Sequence, residues 1–465
     1  MLEELLAAWI GRQRWFGGKG RPIDRVSIDS DATIEAGDPG LRHLVVSVWQ
    51  DGTRDRYQVL LGLRSDLPDR LKHALIGVHG PYAFQDGPSR DEWYAYDAVH
   101  DHELTPWLLE CMGRNCDWGT VRFRHLPDVE IDTSLRSLVL GAEQSNTSLV
   151  YGDTYICKLF RRLVPGVNPE LEVITALAER HAPHIAQPYG WVETDLDGTP
   201  TTLAITQEFL SNSNDGWDLA LTSVRDLYAM PFEDGYGEPA AVTAADAGGD
   251  FAGESFRLGC ATARVHHELA AAFPTDVIEI PEVKRMAEGF RRRLARAVAE
   301  VPELREHVGT IEAVYHRVEE LTAEVPVQRV HGDYHLGQVM RTNTDWVVLD
   351  FEGEPGQPLS ERRALSSPLR DVAGMLRSFD YAARHLLADR PDAASLEPRA
   401  EDWAARNRAA FLDGYVDGGG AISPADSALL KAFEMAKAVY EVVYEARNRP
   451  TWVGIPLAAF RRTGL

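Results

Sequence analysis

The sequence predicts an α+β protein whose strands lie in the N-terminal part of the chain and whose helices fill the C-terminal part. Short apolar runs bounded by turn residues dominate up to residue 210, and helical periodicity dominates after it. The chain has 465 residues, which exceeds the size of one ordinary core. We therefore expect two or three domains, a strand-rich part followed by a helical part.

Residues 1–100 are expected to form a small α+β cap subdomain. A short amphipathic helix is predicted over 2–13. Two strands at 41–50 and 56–63 flank an Asp-Gly dipeptide, which is typical of a hairpin turn. A second helix is predicted over 89–100.

Residues 101–210 are expected to form a strand-rich subdomain. A helix at 169–181 interrupts its strands, because Asn168 suits an N-cap and Pro169 suits the first helical position. The predicted strands lie at 134–142, 147–153, 154–160 and 201–210.

Residues 211–465 are expected to form a mostly helical lobe, interrupted by short strand-like pieces around VQRVHGD and WVVLDFE. Its principal predicted helices lie at 255–272, 282–300, 304–323, 368–389, 399–416 and 424–448.

Charge and composition restrict the class of partner. The chain has 48 basic and 71 acidic residues, a formal net charge of −23, which repels nucleic acid and anionic lipid. Its four cysteines form no CxxC pair, so neither a disulfide framework nor a zinc site is expected. The N-terminus lacks the basic segment of a signal peptide, and no apolar run approaches the ~20 residues that span a bilayer. We therefore expect a cytoplasmic protein that binds neither nucleic acid nor membrane.

Two short motifs in the helical part carry the chemistry. HGDYHLGQ at 331–338 contains Asp333 and, five residues later, Gln338, and WVVLDFE at 346–352 contains Asp350. In kinases, one aspartate accepts the hydroxyl proton of the acceptor, an amide five residues on helps to hold Mg²⁺, and a second aspartate chelates the metal. Oxygen ligands suit Mg²⁺. Their order and spacing therefore predict phosphoryl transfer from ATP in a bilobal protein-kinase-like fold.

The strand-rich part contains the groups expected to bind the nucleotide. Lys158 lies within a predicted strand, where a buried ammonium needs phosphates and a carboxylate as partners. Glu172 of the following helix is the first choice for that carboxylate, and Glu170 is the second. The turn before the strand has no GxGxxG motif, yet it can present N–H groups and hydroxyls to phosphate through Gln144, Ser145, Asn146, Thr147 and Ser148. Adenine is expected beside Gln207, Glu208 and Leu210.

Longer segments resemble the bacterial maltokinases, in the aminoglycoside-phosphotransferase-like branch of the protein-kinase fold. These segments are WFGGKGR (15–21), EQSNTSLVYGD (143–153), KLFRRLVPGVNPELEV (158–173), VHGDYHLGQ (330–338), LDFEGEP (349–355), RDVAGMLRSFDYAA (370–383) and YEARNRPTWVGIPL (444–457). The resemblance implies ATP- and Mg²⁺-dependent phosphorylation of maltose at its anomeric hydroxyl, and association with other enzymes of α-glucan synthesis. It also implies that Asp333 is the catalytic base, that Gln338 and Asp350 bind magnesium, and that Glu352 reaches the metal or the sugar.

The last predicted helix is the expected sugar-binding element. Glu441 and Glu445 share one helical face, Tyr444 lies beside them, and Trp452 follows the helix. The other expected substrate contacts are Asp333, His335, Arg370 and Asp371. The ordinary structural alternatives are a solvated charged face, tyrosine packing, a histidine that braces its loop and an aspartate that stabilises a helix N-terminus.

Three functions remain open at this point: a maltose kinase, a kinase of glucosamine or another amino sugar, and a non-catalytic nucleotide-binding module. The net charge does not decide between the first two, because neutral sugars also bind carboxylates. The third is disfavoured, because Lys158, Asp333, Gln338 and Asp350 are all present. The oligomeric state is not predicted.

Overall fold

The computed structural model describes residues 2–84, 87–141, 145–230, 243–246, 249–354, 357–388 and 390–461. They divide into two compact units, one of residues 1–175 with 186–211 and one of residues 176–185 with 212–465. The predicted cap and strand-rich subdomain both fall mainly within the first unit, and the boundary between them stays a prediction. Within these ranges no helix has the length and apolar character needed to cross a membrane.

The first unit carries most of the strands. In chain order they are β1 (Arg25–Glu35), β2 (Gly40–Gln50), β3 (Thr53–Arg64), β4 (Leu75–His79), β5 (Tyr82–Ala83), β6 (Ser89–Arg90), β7 (Trp93–Asp97), β8 (Asp117–Trp118), β9 (Val121–His125), β10 (Ser137–Leu140), β11 (Thr147–Tyr151), β12 (Tyr155–Leu159), β13 (Arg162–Leu163), β14 (Pro188–Leu196) and β15 (Thr199–Glu208). The helices are α1 (Leu2–Ile10), α2 (Pro106–Gly113) and α3 (Pro169–Glu179), the last of which ends within the residues of the second unit. Short 3-10 turns lie at Asp69–Ala74 and Ala98–His100.

These strands form two large antiparallel sheets in the described part of the first unit. One has the order β1-β2-β3-β7-β4, with β13 paired to β3, and the other has the order β10-β11-β12-β15-β14-β9-β8. One apolar cluster contains residues from both sheets, such as Leu41 and Leu149. A second cluster includes Leu6 and Ile10 of α1 together with residues of the first sheet. The β12 strand, which carries Lys158, therefore lies inside a sheet with neighbours on both sides.

Two predictions for the first hundred residues had opposite outcomes. The hairpin is confirmed, because Asp51 and Gly52 both have positive φ, as a tight turn between β2 and β3 requires. The helix over 89–100 is wrong. Residues Trp93–Asp97 instead form β7, which pairs with β3 and β4, and the 3-10 turn Ala98–His100 follows.

The second unit is mainly helical. Its helices are α4 (Gly216–Ala229), α5 (Ala252–Ala272), α6 (Ile280–Glu300), α7 (Val308–Glu319), α8 (Leu359–Arg362), α9 (Leu369–His385), α10 (Ala393–Asp417), α11 (Pro424–Asn448) and α12 (Gly454–Arg461). Its short strands are β16 (Asn214–Asp215), β17 (Asp276–Ile278), β18 (Val325–Val327), β19 (Val339–Arg341) and β20 (Trp346–Val348). Additional 3-10 turns lie at Pro302–His307, Leu336–Gln338 and Pro450–Trp452.

Local signals fix the starts of the helices that matter for the site. Asn168 accepts a hydrogen bond from the N–H of Glu170 at the start of α3 (2.7 Å). Ser423 and Asp426 form a capping box at the start of α11, which has Pro424 at its first position. Helix α11 packs against α9, and the loop after β18 lies beside α9 as well.

Candidate active site

A buried carboxylate of α9 holds the HGD loop. Asp371 accepts hydrogen bonds from the backbone N–H groups of His331 (2.8 Å) and Gly332 (2.9 Å), and its Oδ2 lies 3.1 Å from Nε2 of His266. Burial raises the pKa of Asp371, but these partners lower it further than burial raises it, so the pKa lies below its ordinary value. Asp371 is only 1% exposed, and its oxygens are engaged by the loop. The prediction that Asp371 contacts the sugar is therefore contradicted, and the residue braces the loop.

Backbone packing fixes the position of Asp333 within this loop. His331 contacts the carbonyl oxygen of Leu349 through Nε2 (2.7 Å), and its Nδ1 accepts the N–H of Asp333 (3.3 Å). On the other side, a Cβ added to Gly374 of α9 would lie 2.5 Å from the carbonyl oxygen of Tyr334. Only glycine permits so close an approach of the helix to the loop.

The carboxylate of Asp333 faces a lysine of α11. Nζ of Lys437 donates to Oδ1 of Asp333 at 3.1 Å. Within the described residues no other side chain bonds to this carboxylate, so its second oxygen is available to accept a hydroxyl proton. Burial lowers the pKa of Lys437, but Asp333 and Glu441 raise it by more, and it lies above its ordinary value. The ammonium is therefore charged next to the predicted base.

Gln338 and Asp350 lie together as the sequence predicted for magnesium ligands. Nε2 of Gln338 donates to Oδ2 of Asp350 at 3.1 Å, and the N–H of Leu349 donates to the backbone oxygen of Gln338 at 2.9 Å. Asp350 follows β20 with φ +63°, a left-handed conformation that is uncommon for residues other than glycine and is frequent at functional sites. One amide and one carboxylate are the oxygen donors that Mg²⁺ prefers, so this pair fits the metal.

Glu352 has a further partner in the same unit. Nη2 of Arg362 lies 3.0 Å from Oε2 of Glu352, and Nε of Arg362 donates to the Glu352 backbone oxygen at 2.5 Å. The guanidinium therefore orients this carboxylate, whose role toward metal or sugar stays a prediction.

In the first unit, Lys158 pairs with Glu170. Nζ of Lys158 lies 3.1 Å from Oε2 of Glu170, whose other oxygen accepts from Nε2 of Gln207 at 2.9 Å. The choice of Glu172 over Glu170 is corrected by this pair. Successive helical residues are rotated by about 100°, so Glu172 points about 200° away from the direction of Glu170.

The predicted phosphate turn is only partly described, since Gln144 lies outside the described residues. Ser145 is exposed and Asn146 is half-buried, as a turn that meets a ligand requires. Thr147 and Ser148 instead belong to β11 and are buried. Oγ1 of Thr147 accepts from Nε of Arg161 at 2.8 Å, and its predicted contact with phosphate stays a prediction.

The expected adenine position lies at the end of β15. The N–H of Glu208 donates to the backbone oxygen of Gln187, and the N–H of Phe209 donates to that of Thr154, both at 2.8 Å. These bonds fix the chain where β15 ends, directly before Leu210. Adenine binding there stays a prediction.

A cavity of about 360 Å³ opens beside Asp333 within the second unit. Its aromatic lining residues include Phe290, Phe433 and Tyr440. Its charged lining residues are Arg293, Arg362, Arg370, Lys437, Asp333, Glu354 and Glu361. This size and mixture of apolar and polar walls suit a small-molecule site. The predicted substrate residues Asp333 and Arg370 both line it, and Nη2 of Arg370 also pairs with Glu354 at 3.0 Å.

The predicted sugar-binding carboxylates of α11 have other partners. Glu441 accepts from Nη2 of Arg377 at 2.7 Å. Glu445, which is 2% exposed, accepts from the hydroxyl of Tyr381 at 2.6 Å and from Nη2 of Arg449 at 2.7 Å. Neither glutamate lines the cavity. Arg377 thus bonds to one oxygen of Glu441, and Tyr381 and Arg449 bond to Glu445, while the role of the two glutamates toward a sugar stays a prediction.

The remaining predicted contacts also lie outside the cavity wall. Tyr444 is 44% exposed, and the ring of Trp452 lies under the guanidinium of Arg449 at 4.2 Å. Nδ1 of His335 accepts the N–H of Gly337 at 3.1 Å, and burial lowers the pKa of this histidine. His335 therefore braces its turn, which was the alternative that the sequence left open.

Sequence reasoning missed Lys437, Arg293 and Glu354. Lys437 lies four residues before Glu441, on the same face of α11, so extending the predicted stripe by one turn would have included it. Arg293 lies on α6, more than a hundred residues before Lys437. No local pattern distinguishes it from its neighbours Arg291 and Arg292.

The second unit thus places the carboxylate of Asp333 at a cavity and brings the amide of Gln338 to the carboxylate of Asp350, and the first unit holds a part-buried lysine–glutamate pair. These are the groups of a phosphoryl-transfer enzyme. The chain belongs to the phosphotransferase enzyme family, whose model matches residues 134–410, more than half of its length. A second family model, the maltokinase N-terminal cap domain, matches residues 9–101.

Two relatives are glucosamine kinases. The one from Streptacidiphilus jiangxiensis is 31% identical over 329 residues, 68% of this chain and 70% of that protein. The one from Mycolicibacterium smegmatis is 30% identical over 328 residues, 69% of this chain and 77% of that protein. A solved structure of a glucosamine kinase in complex with glucosamine, ADP and inorganic phosphate has a TM-score of 0.69 and 23% identity, and the match covers 100% of this chain and 99% of that one. The predicted α+β, protein-kinase-like fold class is confirmed, and so are ATP and Mg²⁺ as the cofactors of this family.

Proposed function

We propose that this protein is an ATP-dependent sugar kinase that phosphorylates maltose at its anomeric hydroxyl to give maltose 1-phosphate. The observation that carries this proposal is the free carboxylate oxygen of Asp333 at the wall of a cavity of about 360 Å³. The match of residues 9–101 to the maltokinase cap model supports maltose as the acceptor.

The charge of the cavity favours a neutral sugar. Its wall has four cationic residues, Arg293, Arg362, Arg370 and Lys437, against three carboxylates, Asp333, Glu354 and Glu361. A protonated amino sugar would meet a cation, Lys437, directly beside the base. A neutral sugar can accept hydrogen bonds from these donors and place an apolar ring face against Tyr440.

The second candidate is a glucosamine kinase. Two relatives at 31% and 30% identity carry that activity in their names. Glu354 and Glu361 are the carboxylates that would receive an ammonium group in the same cavity.

The residues divide the work of the reaction as follows. Asp333 accepts the proton of the acceptor hydroxyl through the oxygen that Lys437 leaves free. Gln338 and Asp350 would hold Mg²⁺, which neutralises charge on the phosphate oxygens when bound. Lys158, oriented by Glu170, would hold the phosphates of the nucleotide. The protein supplies position and charge, which is most of what phosphoryl transfer requires.

The test is ATP consumption with maltose, glucosamine, glucose and an aminoglycoside as acceptors. Phosphorus NMR of the product then locates the new phosphate. Turnover of maltose with an anomeric phosphate is expected, and turnover of glucosamine without maltose would replace the first proposal by the second. Asp333→Asn serves as the control for ATP consumption by a contaminating enzyme.

A further inference from the structure

Lys437 differs from the other cations that line the acceptor cavity. Arg362 and Arg370 are each paired with a glutamate at 3.0 Å, and Arg293 lies over the ring of Phe290 at 5.1 Å. Within the described residues, Lys437 is the cavity cation that bonds to the carboxylate of Asp333. It therefore touches the group that the proposed reaction uses as its base.

The surroundings of Lys437 hold its ammonium in one place. Acidic groups face it from separate elements: Asp333 from the loop after β18, Glu441 one turn later on α11, and Glu354 from the segment after β20. The imidazoles of His331 and His335 lie in the same loop, and Nδ1 of His331 accepts the N–H of Asp333. The ring of Tyr440 lies 5.3 Å from Nζ. A flexible lysine side chain is thereby confined between anions and an aromatic face.

We propose that Lys437 is a positioning residue of the phosphoryl transfer and that it acts through Asp333, an inference that rests on the proposed kinase function. By binding Oδ1, the ammonium leaves Oδ2 as the oxygen that receives the proton and fixes the plane of the carboxylate. The HGD loop of this chain supplies no lysine or arginine at this point, since the residues after Asp333 are Tyr334 and His335.

The step balances as an ordinary kinase reaction. The O–H bond of the acceptor breaks and its proton passes to Oδ2 of Asp333, while the acceptor oxygen forms a bond to the γ-phosphorus of ATP. The bond from that phosphorus to the bridging oxygen breaks, and ADP leaves with the electron pair. Lys437 exchanges no proton and forms no covalent bond in this step.

The test is a double-mutant cycle on the full chain with the acceptor that proves active in the substrate panel. Lys437→Met keeps an unbranched side chain one atom shorter and removes its charge, Asp333→Asn removes the proposed base, and the double variant combines them. Lys437→Met is expected to lower kcat by about 10²-fold, the scale of a misplaced catalytic group, with little change in KM for ATP. The double variant is expected to be no slower than Asp333→Asn alone, because the lysine acts only through that carboxylate.

Matched variants keep the result interpretable. Lys431→Met makes the same change on α11 outside the cavity and is expected to retain wild-type kcat. Lys437→Arg retains a cation, and it should recover at least part of the lost kcat. If Lys437→Met does not fold, Lys437→Arg replaces it in the cycle. A positioning role then predicts that Lys437→Arg lowers kcat and that this loss is not additive with the loss in Asp333→Asn.

Two results would overturn the proposal: wild-type kcat in Lys437→Met, or losses that multiply in the double variant. A wild-type enzyme that turns over no sugar defeats the proposed function instead. The same double-mutant cycle is then measured with the aminoglycoside as acceptor or as hydrolysis of ATP by water. Failure of the proposed sugar kinase function is thereby distinguished from failure of the proposed role of Lys437.

Discussion

Two elements of the second unit, the HGD loop and helix α11, line the cavity beside Asp333 and are held by different contacts. The HGD loop is fixed through its backbone, by the N–H groups that Asp371 binds and by the glycine contact with α9. Helix α11 is fixed to α9 through side chains, by the bonds Arg377–Glu441 and Tyr381–Glu445. We therefore expect substitutions that remove the support of the HGD loop to lower both kcat and stability. Substitutions along α11 should each affect only the contacts of the substituted residue.

The largest effect is expected where the loop meets the substrate. Asp333→Asn removes the proton acceptor and should lower kcat by roughly 10²–10⁴, the usual scale for a positioned general base. Binding of a non-hydrolysable ATP analogue, measured by calorimetry, should persist. Asp413→Asn, the same change on an exposed position of α10, is the control. Wild-type kcat in Asp333→Asn would refute its role as the base.

The support of the loop is tested by Asp371→Ala. The substitution leaves the N–H groups of His331 and Gly332 buried without a partner, at about 1–3 kcal/mol each. We expect the free energy of unfolding, measured with urea, to fall by about 3 kcal/mol. Unchanged stability would show that the loop does not depend on this carboxylate.

The same residue gives a pH dependence with a defined sign. The pKa of Asp371 in the folded state lies below its ordinary value, so it stabilises the folded state fully above the unfolded pKa of about 3.9. That contribution is lost as the pH falls through the folded pKa. The stability difference between wild type and Asp371→Asn should therefore be constant from about pH 5 to 7 and shrink below about pH 4. A difference that grows on acidification would contradict this.

The glycine contact with the loop predicts a smaller loss. Gly374→Ala places a Cβ 2.5 Å from the carbonyl oxygen of Tyr334, so the loop or the helix must move. We expect a cost of about 1–3 kcal/mol in stability, as in other overpacked sites, together with a lower kcat. Gly309→Ala is the matched control in α7, because nothing lies within 4 Å of its added Cβ. A neutral Gly374→Ala would show that this contact is not restrictive.

The contrast between contacts within a short segment and contacts between distant elements explains what the sequence could predict. Asp333, Gln338 and Asp350 lie in two short segments whose spacing largely determines their geometry, and Gln338 does meet Asp350. The strands and helices that follow clear periodicity were also predicted, but the strand Trp93–Asp97 was not, since its five residues WYAYD show no clear period-2 pattern. Local sequence patterns therefore predict structure within a hairpin or a loop.

The sequence did not predict which side chains of distant elements contact each other. Glu170 and Glu172 differ only in the rotation of α3 against the sheet, which depends on packing across the whole unit. Glu441 and Glu445 have the right residue type for a sugar, but the sequence does not reveal that Arg377 and Tyr381, each 64 residues earlier, bond to them. Lys437 lies on the stripe that the sequence offered, but its pairing with Asp333, 104 residues away, was not predictable from local pattern.

The smallest effect separates two tyrosines of α11. Tyr440 and Tyr444 are 45% and 44% exposed, and their rings lie 6.3 Å apart, but only Tyr440 lines the cavity. Tyr440→Leu should raise the KM for the sugar by about 2- to 12-fold, which corresponds to the roughly 0.5–1.5 kcal/mol of an aromatic contact, and leave the KM for ATP unchanged. Tyr444→Leu should leave both constants within about twofold of wild type. Equal effects of the two changes on the sugar KM would place the acceptor beside Tyr444 on α11, as the sequence had suggested. They would also remove the reason for assigning the cavity to the sugar.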